Sequence, residues 1–421
     1  MNTSRRLIRR SLLAACVLGS GLAHAGGPLV IEGAGGNTPV SYPGGAVNLN
    51  FDQGLLLPTL SNQQADDLLN QAFALWNNVT SSNISLSQAA DLGEDIVVAN
   101  YAPLLPNGSA NDPSLGDGIS PVIYDVDGSI IDDYLGAGQS SSTAGFAASV
   151  YTVGGNDFIE GYAVLNGATL GSSSEVIKLV AHEIGHLIGL DHSQLDIDNS
   201  ETLSTVCNTA PSRDDYPIMY PFLCRLSPDL HPDDVAAVSG LYPAADIDQQ
   251  LGQLRGYFVD VNGNPVLGAN LWVEETGSGA KYSIVSDYLK QSNGFFSLYL
   301  PAGNYTLHAN SINPIFVDAS SVGPYALSVS DLSFQAPHPI TPVTYMRDTG
   351  SPVAISVSVG LASEVTFRTD GAGTDSGGLT ISQPAAGASG GGGGGALAWP
   401  VLLLAAGLVV LRRCSAHLAD G

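Results

Sequence analysis

Positive charge is scarce in this chain. Of 421 residues only 14 are Lys or Arg, against 39 Asp and Glu. Arg5, Arg6, Arg9 and Arg10 crowd the N-terminus, and Arg412 and Arg413 the C-terminus, which leaves eight for everything between. A body so poor in cations repels phosphate backbones, which argues against nucleic acid as a partner. Cysteine is scarce too. Cys16 and Cys414 lie near the two ends, and only Cys207 and Cys224 belong to the body. In an exported chain two such cysteines point to one disulfide, the alternative being two buried thiols. Methionine occurs three times. Long apolar runs are confined to the two ends.

The N-terminal run is short and follows the arginines. "SLLAACVLGSGLA" and then "AHA" at 23–25 have the form of a signal peptide over 1–25, with the mature chain starting at Gly26. The arginine pairs leave the general and twin-arginine routes both open. A lipoprotein site at Cys16 is the weaker alternative, because too few apolar residues precede it. The C-terminal run, "ALAWPVLLLAAGLVVL" (396–411), follows a Gly/Ser-rich spacer (371–395) and precedes a basic tail (412–421). As a helix it would reach ~24 Å, short of a comfortable span. The arginines would stay cytoplasmic.

Between these ends, 421 residues suffice for two domains. Residues 26–60 read as an extended N-terminal segment. From 61 to 245 helical and strand patterns mix. Leu68, Leu69, Ala72, Phe73, Trp76 and Val79 recur at helical spacing after Ser61. Short apolar runs between 84 and 170 predict a small sheet. A second helix is expected over 172–189, opened by Ser172 and Glu175, and a third over 231–242. Residues 246–254 read as a linker. From 255 to 370 strands alternate with Asn-Gly and Pro turns, as in an all-β sandwich.

The second helix carries "VAHEIGHLIGLDHS" (180–193). His182 and His186 are four apart, so their imidazoles leave one helix face a turn apart, which suits two nitrogens on a tetrahedral Zn²⁺. Glu183 sits beside the first ligand and off the metal direction, where a general base belongs. A continued helix would carry the next residues away. Gly189 can take the left-handed conformation that ends the helix and brings His192 back as third ligand. Three histidines on one local face are costly to bury without such a partner. A structural zinc module is disfavoured, since such sites close with four ligands, often cysteines.

The pattern H-E-x-x-H-x-x-G-x-x-H resembles the metzincin zinc peptidases. Ser193 after the last histidine, "IMYP" around Met219, "HPDDVAAVSGLYP" and a Trp-containing first helix are similar to the matrixin branch. The resemblance covers roughly residues 55–243. It implies an α+β catalytic domain over 61–245, a twisted mostly parallel sheet with three helices. It also implies a methionine turn at Met219 beneath the metal. The activity implied is that of an exported zinc endopeptidase, which cleaves protein or peptide substrates with a metal-activated water and Glu183 as base. "EGYAVLNG" (160–167) is a candidate edge strand for substrate, or a plain sheet strand. Two departures stand out. His192 and Met219 are 27 residues apart, an insert that a Cys207–Cys224 bridge can pin. No cysteine lies between 26 and 206 to act as a cysteine switch. The rival reading is a catalytically inactive metzincin-fold protein that binds or adheres at a surface, against which Glu183 speaks.

Three smaller readings complete the chain. Asp125, Asp127 and Asp132 around Gly128 are a candidate Ca²⁺ set, although acidic turns are common in acidic chains. "GNPVLGANLWV" and "SNGFFSLYLPAGNYTLHAN" resemble the carboxypeptidase regulatory-like β-sandwich, which implies folding support, spacing or surface binding. The tail resembles the GlyGly-CTERM sorting signal. That implies a Gram-negative source, an extracellular or cell-surface destination, an at least transient membrane stage, and a rhomboid-type protease as processing partner. A permanent single-span anchor is the alternative.

Overall fold

The computed structural model describes residues 27–31, 37–106, 114–151, 155–195, 202, 204–208, 210–316, 320–323, 340–380 and 405–406. The expected signal peptide and basic tail lie outside these residues, as do 381–395 and most of 396–411. Ala405–Ala406 are extended and pair antiparallel with Ser149 and Ala148. Among the described residues no helix is long and apolar enough to cross a membrane.

The first body is built on five strands: β1 (Ala46–Phe51), β2 (Ser85–Gln88), β3 (Pro121–Asp125), β4 (Gly145–Tyr151) and β5 (Phe158–Asn166). Their order is β2-β1-β3-β5-β4. All pairings are parallel except β4 with β5. Alternate residues of the central strands serve two cores. Val122, Tyr124, Ala163 and Leu165 face the helices, whereas Ile123, Tyr162 and Val164 face a second cluster with Leu92, Ile96, Leu105 and Ile131. Burial on both faces explains why these strands read as unbroken apolar runs.

Helix α1 (Asn62–Asn77) starts at a capping box in which Ser61 and Gln64 satisfy each other's N–H groups. Its apolar stripe from Ala65 to Trp76 is buried. The Trp76 Nε1–H donates to the Ala181 carbonyl at 3.1 Å and so ties α1 to α3 (Ser173–Leu187). Ser172 caps α3 by accepting from the Glu175 N–H. Helix α4 (Pro232–Leu241) opens with Pro232 and two acidic residues.

The second body is a β-sandwich. One sheet contains β7 (Ala269–Glu275), β8 (Lys281–Val285), β10 (Gly303–Ser311), β11 (Val343–Thr344) and β12 (Ile355–Val357). The other runs β14-β13-β6-β9, with β6 (Gly252–Val259), β9 (Phe295–Leu300), β13 (Leu361–Arg368) and β14 (Gly373–Thr380). Between them lie Leu254, Phe258, Leu271, Phe296, Leu307 and Phe367. The two bodies are not independent. Tyr216, Tyr220 and Cys224 of the first pack with Val285, Ile312, Phe316 and Val322 of the second in one buried cluster.

The structure departs from the sequence expectations at five places. Residues 246–254 contain a short helix, α5 (Ile247–Gln250), and the start of β6. The spacer expected from 371 begins later, because Gly373–Thr380 pair with β13 through the backbone, and glycine-rich composition hides such a strand. Residues 129–135, read as part of an acidic turn, form helix α2 (Ser129–Leu135). The segment 160–167 is not an edge, since β5 is flanked by β3 and β4. Strand β4 is the outer one, covered only by Ala405–Ala406 among the described residues. Ala405–Ala406 themselves are extended, where the apolar segment was expected to be helical.

Candidate metal centre

Helix α3 presents His182 and His186 from one face and ends where the third histidine needs it to. Gly189 has φ +91°. Its N–H donates to the His186 carbonyl and the Leu190 N–H to the Gly185 carbonyl, at 2.9 and 2.8 Å. This pair of bonds is a Schellman motif, which requires a left-handed residue at that position. A Cβ on Gly189 would also lie 2.6 Å from the Phe158 ring. The chain reverses and brings His192 back to the helix face.

The Nε2 atoms of His182 and His186 are 3.2 Å apart, and those of His186 and His192 3.1 Å. Each Nδ1 faces a backbone carbonyl: Ile218 at 2.7 Å, Leu190 at 2.9 Å and Ser321 at 2.9 Å, in chain order of the histidines. A carbonyl only accepts, so every Nδ1 carries the hydrogen and every Nε2 presents a bare lone pair. Three lone pairs at this separation have no hydrogen bond to make with one another. Burial pushes the imidazolium forms of His182 and His192 down to about 4 and about 3, and that of His186 well below its ordinary value, so protonation does not relieve the clash. A cation does. Two nitrogens on a tetrahedral zinc at 2.0–2.1 Å would stand about 3.3 Å apart, close to what is seen. Among the described residues this is the one group of three or more His, Cys, Asp or Glu side chains able to hold a metal ion.

Glu183 is buried, and burial pushes its carboxyl up to about 8. It lies against Gly145 of β4, where a Cβ would come within 3.1 Å of its Oε1 and 2.9 Å of the Val164 carbonyl. The absence of a side chain at 145 is what leaves room for the carboxylate.

Met219 underlies the helix. A Cβ on Gly185 would sit 2.2 Å from its Sδ, so the sulfur rests directly on the backbone between the first two histidines. The carbonyl of Met219 accepts from the Ser193 N–H at 2.8 Å, linking the turn to the third histidine. The turn itself hangs from α4. Asp234 accepts from the N–H groups of Ile218, Met219 and His231 at 2.9, 3.0 and 2.8 Å. Cys207 and Cys224 are bonded as a disulfide at the edge of the long insert.

The candidate calcium residues have other employment. Asp125 caps α2 by accepting from Ile130 and Ile131, Asp127 accepts from Ser129, and Asp132 from Ser140. Nothing in this arrangement supports Ca²⁺. Four residues of the site escaped the sequence reading. Gly145 and Gly185 show no signal in a glycine-rich chain. Asp234 is one of two acidic residues in the first turn of a helix and carries no further sequence signal. Ser321 contributes only a backbone carbonyl.

No protein-family model matches the sequence. A stretch of 90 residues is 31% identical to "Probable matrix metalloproteinase 095L" of Invertebrate iridescent virus 3, spanning 21% of this chain and 20% of that protein. The likeness is partial and distant, and it points to a metalloprotease. Among solved structures, 5-hydroxyisourate hydrolase of Klebsiella pneumoniae aligns with 32% of this chain and 95% of that one, at 16% identity and a TM-score of 0.17, which is too low to carry an argument.

Proposed function

We propose that the chain is a zinc-dependent endopeptidase of the metzincin type, matrixin-like, acting on proteins or peptides. The observation that carries this reading is the convergence of three bare Nε2 atoms beside a buried glutamate. His182, His186 and His192 would hold the metal and leave one position open, as catalytic zinc sites do. When bound, Zn²⁺ supplies a Lewis acid that polarises a carbonyl and acidifies water. The remaining work belongs to the chain. Glu183, set into the notch above Gly145, takes a proton from the attacking water and delivers it to the departing amine. A positive charge opposite it favours its ionised form against the pull of burial. Met219 and Asp234 keep the floor of the site in place. Ala405–Ala406 lie along the outer edge of β4 by strand addition, and an extended peptide substrate takes that edge in their place.

Export to the cell surface of a Gram-negative bacterium belongs to the same proposal. It is supported by the 1–25 leader, by the tail, and by a disulfide suited to an oxidising compartment. The test is metal analysis of the purified full chain, followed by casein digestion with and without a chelator. Equimolar zinc and digestion that stops when the metal is stripped are expected. Zinc retained in full by His192→Ala would remove that residue from the ligand set, and digestion indifferent to the chelator would end the reading.

A further inference from the structure

The geometry points to the β-sandwich as a working part of the metal centre: its Ser321–Gly323 turn positions the third ligand, His192. This rests on the zinc reading above. Of the three imidazoles, two are oriented by carbonyls of the first body, Ile218 and Leu190. The third is oriented from the other body. His192 Nδ1–H donates to the carbonyl of Ser321, 129 residues further along the chain. That bond fixes which nitrogen carries the proton and how the ring is turned, the two properties a metal ligand must have set for it. Ser321 is thus a positioning residue that acts through His192.

The rest of the segment is held to the sandwich in the same way. Asp191, fully buried, accepts from the His192 N–H, and the N–H groups of Gly323 and Gly27 face its carboxylate. The Gln194 Oε1 accepts from the Asn313 N–H at 2.6 Å and its Nε2 donates to the Ser311 carbonyl at 3.3 Å. Ser193 donates to Asp233, which also accepts from the Ser283 backbone N–H of β8. Residues 192–194 are therefore clamped between the bodies, through the His192 ring, Ser193 and Gln194. The apolar cluster beneath, with Phe316 edge-on to Tyr220 at 5.4 Å, keeps water from competing for these bonds. Gly323 sets the shape of the turn. Its φ is +75°, and a Cβ would meet Val285 at 2.9 Å. If the sandwich were only a spacer or a surface-binding appendage, the ligand segment would not depend on it.

The test compares full-length chains in a zinc-competition titration against a chelator. Gly323→Val moves the turn without touching a ligand. Gly263→Val is the control, because Gly263 is also left-handed (φ +86°) but nothing stands within 4 Å of its Cβ. Loss of a partner of this kind weakens metal binding by about 10–100-fold, which is the effect expected for Gly323→Val, with Gly263→Val at the wild-type value. The Co²⁺-substituted protein supplies a readout that general loosening would not move. The visible absorption bands should shift in Gly323→Val, because the ligand field feels the angle of His192. If Gly323→Val does not fold, Gln194→Ala carries the test, since it cuts two ties and adds no bulk; a several-fold weakening with the same spectral shift is expected. Wild-type affinity and spectrum in the variant that folds, or equal weakening in both glycine variants, would overturn the inference and leave the zinc reading intact. A wild-type chain that binds no zinc would overturn the zinc reading itself.

Discussion

Replacing Gly185 by alanine sets two known effects against each other. In an ordinary helix interior the change stabilises, by about 1 kcal/mol, because glycine loses more backbone freedom on folding. Here the new methyl would lie 2.2 Å from Met219 Sδ, 3.0 Å from its Cε and 3.3 Å from the Trp76 ring. Met219 is 1% exposed and cannot swing into solvent. Overpacking of this kind costs about 1–3 kcal/mol. The overlap should win, leaving a net loss of up to ~2 kcal/mol and a melting temperature lower by a few degrees. The assay is thermal unfolding of the full chain with zinc and with chelator. The zinc-bound form should lose more, because the displaced sulfur pushes on the backbone between two ligands. Met219→Ala in the same chain should restore the helix gain, a coupling that appears only when the two residues touch. A Gly185→Ala variant that melts higher than wild type by what propensity alone gives would refute the packing of Met219 beneath the ligands.

Two further outcomes follow from the same geometry. Gly145→Ala fills the notch that holds Glu183 and should lower casein digestion by about 10²–10⁴-fold, the usual worth of a placed base, while zinc content stays at the wild-type level; undiminished digestion would free Glu183 from that notch. Asp234→Ala leaves three backbone N–H groups without their acceptor and should cost roughly 3 kcal/mol in chemical unfolding, whereas a loss under about 1 kcal/mol would mean that the turn holds itself.

How much of this could be read in advance depends on how local each feature is. Helix α1 was visible because its apolar residues from Leu68 to Val79 recur within a few turns of each other. The three-histidine cluster was visible for the same reason: its histidines, Glu183 and the glycine that reverses the chain fall within eleven residues, and helix geometry does the rest. Strand rank was not visible. Nothing in residues 160–167 tells that β4 will lie outside β5, because order in a sheet is decided by partners far along the chain. Helix α2 was missed because Asp125, which caps it, looks in sequence like one more carboxylate of an acidic turn. Strand β14 was missed because Gly, Ser and Thr carry almost no alternation. Ser321 could not have been found at all, since a backbone carbonyl has no residue signature and its target is 129 positions away.

The central claim, a buried glutamate acting beside a three-histidine metal centre, is tested most directly by casein digestion with the zinc-loaded full chain beside Glu183→Gln. The account predicts equimolar zinc in both proteins and digestion by the wild type alone. Equal digestion by the two would contradict it.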